Sequence, residues 1–96
     1  MKDIIAKLNK AFESRIRLAV MSVLSVNDAV SFNYLKELLE VTDGNLASHL
    51  KALENMNYII ATKQFIGRKP NTNYHITELG KLSFQEHLNA LEILIK

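Results

Sequence analysis

The feature that most constrains this chain is a change of apolar period between Phe32 and Ile76. Phe32, Leu35, Leu38 and Leu39 recur at helical spacing up to about Val41. Thr42 and Asp43 then offer side-chain oxygens to the free N–H groups of a new helix start, and Leu46, Leu50 and Leu53 continue the stripe. Two short helices must therefore meet across a tight turn. Near Asn55-Met56-Asn57 the pattern gives way to "YIIATKQFI", rich in β-branched and aromatic residues, and "TNYHI" follows as a returning strand. Tyr58 to Ile76 reads as a β-hairpin with a five-residue tip from Gly67 to Asn71, with Pro70 and Asn71 supplying turn chemistry.

The flanks complete the order. Ile4, Ile5, Leu8, Ala11 and Phe12 predict one short amphipathic first helix. Ser14 can cap a second, with Ile16, Ala19, Val20, Val23 and Leu24 as its apolar stripe. After a break at Asn27-Asp28, "AVSF" is a short edge strand, and Ser31 can cap the third helix. Thr77 with Glu78 opens a final helix that runs nearly to Lys96. The expected fold is α+β and mainly helical, in the order α-α-β-α-α-β-β-α. A helix-turn-helix over about 32–57 is followed by a hairpin over about 58–76, the winged-helix arrangement, and by a long helix over about 77–95.

A chain of 96 residues is expected to form a single domain, 1–96, with a thin core. Zero cysteines exclude disulfides, thiolate metal sites and a cysteine nucleophile. No run approaches the roughly eighteen apolar residues of a membrane span, and "MKDIIAKLNK" lacks the apolar centre of a signal peptide, so a cytoplasmic location is expected. Charge is unevenly placed. Residues 45–75 carry four Lys or Arg against one Glu, whereas 1–44 balance at six each and 76–96 carry two against three. A localised basic excess is what a nucleic-acid footprint requires.

The stretch "FNYLKELLEVTDGNLASHLKALENMNYI" resembles the helix-turn-helix of small winged-helix transcriptional regulators related to the MarR and ArsR families. Thr42, Leu46, Ser48, His49, Leu50, Leu53, Tyr58 and Ile59 occupy the positions of their recognition-helix pattern and wing start, and "YHITELG" is similar to the way their chains pass from wing to helix. The resemblance covers roughly 13–82. It implies a duplex-DNA partner. Longer MarR proteins build ligand pockets around extra dimerisation helices without a counterpart here, and metal-sensing ArsR members use cysteines or paired His and carboxylate ligands. No small-molecule effector is therefore carried over.

At about 100° per residue, Leu50 and Leu53 fall on one side of the fourth helix with Leu46, and Asn45, Ser48 and Lys51 on the other, with His49 at the boundary. Small, hydrogen-bonding side chains suit a major groove about 12 Å wide. Gly44 permits close approach at the electropositive helix start, beside Thr42. The helix has no Arg to read guanine strongly, so phosphates and DNA shape are expected to supply much of the affinity. The same face also reads as an ordinary solvated surface. In the hairpin, Arg68 is expected at the minor groove with Lys69, Asn71 and Lys63 in support. Charged tips also keep edge strands soluble.

The last helix has two apolar faces. Leu88, Leu91 and Ile95 lie within about 40° of Phe84, and Leu79, Leu82 and Ile93 lie about 160–220° away. Leu79, Leu82, Phe84, Leu88, Leu91 and Ile95 are the expected contacts of a two-fold homodimer, which would read a pseudo-palindromic site. Burial of the second face by the chain's own first helix is the alternative. His75 reads as a packed strand histidine, and His87 lacks a partner ligand, so no metal or cofactor is expected. No nucleophile motif, phosphate loop or carboxylate pair is present, which argues against an enzyme. The functions that remain are a DNA-binding regulator, most simply a repressor, or a winged-helix protein-interaction module without DNA binding.

Overall fold

A computed structural model describes residues 1–96. Its helices are α1 (Lys2–Ala6), α2 (Arg15–Ser25), α3 (Phe32–Leu39), α4 (Asp43–Asn55) and α5 (Glu78–Ile95), with a 3₁₀ turn over Lys10–Glu13. The strands are β1 (Val30–Ser31), β2 (Ile59–Ile66) and β3 (Lys69–Ile76), paired antiparallel in the order β1-β3-β2. This is the winged-helix fold.

Hydroxyl caps set most helix starts. Ser14, Ser31, Thr42 and Thr77 each adopt extended backbone and accept a bond from the N–H three residues on, which satisfies one of the free donors of α2, α3, α4 and α5. α3 ends at Leu39, short of Val41, because Glu40 turns left-handed with φ 52°. The first helix is not the continuous one its spacing predicts. Asn9 is extended, and its side chain accepts from the Ala11 N–H, so the segment divides into α1 and the 3₁₀ turn. That break directs Phe12 inward, edge-on to Phe84 with ring centroids 5.3 Å apart.

The hairpin tip is also shorter than expected. Ile66 pairs with Lys69, which leaves a two-residue turn of Gly67 and Arg68 in which Gly67 takes φ 65°. A positive φ at the first turn position alone matches the II′ geometry that right-twisted strands favour. Lys69, Pro70 and Asn71 thus belong to β3. Hydrogen-bonded and non-hydrogen-bonded pairs alternate along an antiparallel ladder. With Ile66 and Lys69 closing the turn, Phe65↔Pro70 falls at a non-bonded step, where the missing proline N–H costs nothing.

A cluster of 13 buried residues joins the elements. Leu46, Leu50 and Leu53 of α4 pack there beside Leu35, Val20, Met21 and Leu24, and truncating any of these leucines to Ala would cost about 2–5 kcal/mol. From α5 the core takes Gly80, Phe84, His87 and Ala90. Phe84 is only 4% exposed. It is therefore a core residue and cannot serve as the dimer contact expected of it. Leu79, Leu82, Leu88, Ile93 and Ile95 remain exposed, and Leu91 is half-buried.

Candidate nucleic-acid interface

α4 is held by its leucine stripe, and its opposite side is open. Gly44, Asn45, Ser48 and Lys51 are all exposed. A Cβ on Gly44 would meet nothing within 4 Å, so the fold itself makes no demand for glycine at this position. Without a side chain, this position in the first turn leaves the backbone open to close approach by another molecule. Thr42 is exposed, and its oxygen accepts from the Asn45 N–H at 3.2 Å, which leaves its hydroxyl hydrogen free to donate. Asp43, the first residue of α4, places an anion at this helix start, countered by Lys36 of α3 at 2.8 Å.

His49 lies at the boundary of the two sides, as expected. It is half-buried, and its Nδ1 accepts a 3.0 Å hydrogen bond from Arg17 Nε on α2. Burial first, and the Arg17 charge second, hold the imidazole below its ordinary range. Arg17 is a residue of this surface that sequence reasoning missed. Its only signal was the pair Arg15 and Arg17 in a helix first turn that carries no acidic residue.

The wing rises directly from α4, since the Tyr58 N–H bonds the Leu53 carbonyl at 3.0 Å. Strand register decides where its cations point. Ile59, Ala61, Lys63 and Phe65 share one face with Ile76, Tyr74, Thr72 and Pro70, while Lys69 shares the other with Ile66, Gln64 and Asn71. Lys63 and Lys69 therefore lie on opposite faces, with the exposed Arg68 at the turn between them. Asn71 is half-buried and donates one amide N–H to Asn73 Oδ1 at 3.3 Å. Phe65 and Ile66, 73% and 65% exposed, stand beside these cations and were not singled out from the sequence.

The remaining histidines have structural partners. His75 Nδ1 lies 2.9 Å from the Asp28 carbonyl, and His87 accepts the Asn9 N–H at 2.9 Å. No three His, Asp or Glu side chains converge as metal ligands, and no helix is long and apolar enough to cross a membrane.

An open polar helix beside a basic hairpin on this fold defines a class of protein. The winged helix DNA-binding domain family matches residues 16–95, and the chain belongs to it. An uncharacterized protein of Methanocaldococcus jannaschii is 37% identical over 87 residues, which is 91% of this chain and 95% of that one. The structure of a transcriptional regulator homologue from Pyrococcus horikoshii OT3 superposes with a TM-score of 0.85 at 28% identity, covering 98% of this chain and 91% of its own. An ArsR family transcriptional regulator shares the fold at 19% identity, with a TM-score of 0.66 over 98% and 92% of the two chains. The chain is thus a member of a DNA-binding winged-helix family, and the regulators it superposes on share its fold.

Proposed function

We propose that this protein is a transcriptional regulator of the MarR/ArsR-like type that binds a pseudo-palindromic duplex as a homodimer and represses transcription by occluding a promoter. The observation that carries the reading is the α4 surface from Thr42 to Lys51, exposed and polar on one side and locked by three buried leucines on the other. In this reading Gly44, Asn45 and Ser48 enter the major groove, with the Thr42 hydroxyl and Lys51 on its phosphates. Arg68 reaches the flanking minor groove, and Lys63 and Lys69, on opposite faces, serve its two phosphate walls. Asn71 supports the strand more than the contact. The partner copy docks on the exposed apolar residues of α5.

Anisotropy titrations of promoter-bearing duplex at increasing salt test this. The expected result is an affinity that falls steeply with salt, and an Arg68→Ala variant whose slope of log K against log salt is smaller by about one unit. Absence of duplex binding at low salt would sink the proposal.

A further inference from the structure

We infer that Arg17 and His49 form a two-residue DNA-contact unit, in which Arg17 takes a backbone phosphate and fixes His49 as a neutral Nε2–H donor facing a base-edge acceptor. The inference rests on the duplex-binding reading above and adds a site on α2 to it.

Three observations converge. An arginine Nε–H is always a donor, so the Nδ1 that accepts it at 3.0 Å must carry a lone pair. The imidazole proton then has one place to go, Nε2. Nε2 has no hydrogen-bond partner within the chain, and no buried side-chain nitrogen or oxygen is left without one, so this atom reaches solvent. The ring nitrogens sit on different edges. With Nδ1 committed to α2, the donor edge is the one left to solvent, on a helix whose neighbouring exposed residues are Asn45 and Ser48.

The second observation concerns charge. Arg17 is half-buried and takes part in none of the three ion pairs of the structure. Its guanidinium uses one donor on His49 and keeps its terminal N–H groups for another acceptor. The third is placement. Arg15 and Arg17 occupy the first turn of α2, the electropositive end of a helix, where a cation is disfavoured by some tenths of a kcal/mol and no acidic residue compensates. The one internal gain is the bond from Arg17 to His49, and a local rule broken for so small a return points to a functional position. An external anion resolves the conflict, and a phosphate held by the fork of an arginine is the anion a DNA-binding surface supplies.

A base-edge acceptor suits the histidine. A single fixed N–H donor can meet purine N7, guanine O6 or thymine O4 in the major groove, and it rejects the donor edges of cytosine and of the adenine amino group. A histidine free to exchange tautomers would discriminate less, so Arg17 is a positioning residue for His49 as well as a phosphate contact.

Heteronuclear NMR of the imidazole nitrogens in the free protein reads the tautomer. The Nε2–H form is expected to dominate in the wild type and to give way to a mixture in Arg17→Met, while an Nδ1–H wild type overturns the inference. Anisotropy on a random-sequence duplex of about 30 bp reads the phosphate contact. Arg17→Met should lower the salt slope by about one unit and Arg17→Lys should restore it; a slope unchanged by Arg17→Met overturns the phosphate role. On a duplex selected by the wild type from a random pool, His49→Gln, whose amide nitrogen replaces Nε2, should stay within about threefold of wild-type affinity, whereas His49→Asn should lose about tenfold. Equal losses overturn the donor assignment. A wild type that binds no duplex at low salt removes the DNA-binding reading itself, an outcome separate from a bound wild type with silent variants.

Discussion

Gly80 and His87 show what individual residues contribute that spacing could not reveal. A Cβ at Gly80 would overlap the Tyr58 carbonyl oxygen and crowd Ile76, because the Thr77 N–H bonds the same carbonyl and draws the start of α5 onto the wing's base. Gly80→Ala should therefore destabilise by about 1–3 kcal/mol, read as a lower denaturant midpoint, despite the better helix propensity of alanine. His87 is buried against Phe12, with Nδ1 accepting from the Asn9 N–H. Burial lowers its pKa, an effect that Glu13 partly offsets. The sign follows from linkage. The unfolded chain binds the proton more readily, so the stabilisation is fully present above the ordinary histidine value of about 6.5 and is lost as pH falls towards and through the folded value. His49 is shifted the same way. Thermal melts should lose stability as pH falls below about 6.5, and His87→Gln should flatten that loss; an unchanged pH profile would exclude His87 as a source. The sequence hid this role because Asn9 and His87 are 78 residues apart.

At the scale of elements, legibility tracked local chemistry. The four hydroxyl-capped helices and the α4 stripe could be read directly, since a cap and a 3.6-residue period are properties of neighbours in sequence. The first helix was misread because its apolar spacing holds across Asn9 while the backbone does not, and that choice is made by contacts with Tyr58 and His87. The wing was misread in register. Pro70 and Asn71 have turn chemistry, yet Gly67 alone supplies the positive φ, and two residues close the hairpin. This assigns Pro70 to strand support and gives Gly67 the decisive role. Gly67→Ala places a Cβ at φ 65°, a cost of about 1–2 kcal/mol. Every residue of β2 from Thr62 onward is exposed, so the effect should be local. Hydrogen exchange at the wing tip should accelerate about tenfold while the denaturant midpoint barely moves; a fall in the midpoint of the size seen for a core truncation would show the tip to be part of the global fold.

For the molecule as a whole, the open question is what covers α5. The chain extends 53 × 25 × 21 Å, and α5 carries Leu82 and Ile93 at 70% and 53% exposure although α1 packs against the same helix. The chain's own first helix thus leaves this face uncovered, which was the alternative to a partner. Its length explains why, since at five residues α1 spans only about 8 Å of a helix about 27 Å long. The sequence made the two-faced character of α5 legible but left open which face meets the core, so Phe84 stood among the dimer contacts, because a helical wheel gives angles and not the direction of the core. The corrected set makes the proposed dimer separable from folding. Phe84→Ala should destabilise each chain by about 3–5 kcal/mol through the cavity beside Phe12. Leu82→Glu adds charge at an exposed position, so each chain should stay folded while light scattering at micromolar concentration falls from the dimer mass to the monomer mass. Duplex affinity should fall with it, because two recognition helices about one DNA turn apart bind a pseudo-palindrome together and a single one holds only a half-site. A wild type already of monomer mass, or a Leu82→Glu variant of unchanged mass alongside an unchanged Leu88→Glu, would remove α5 as the two-fold contact.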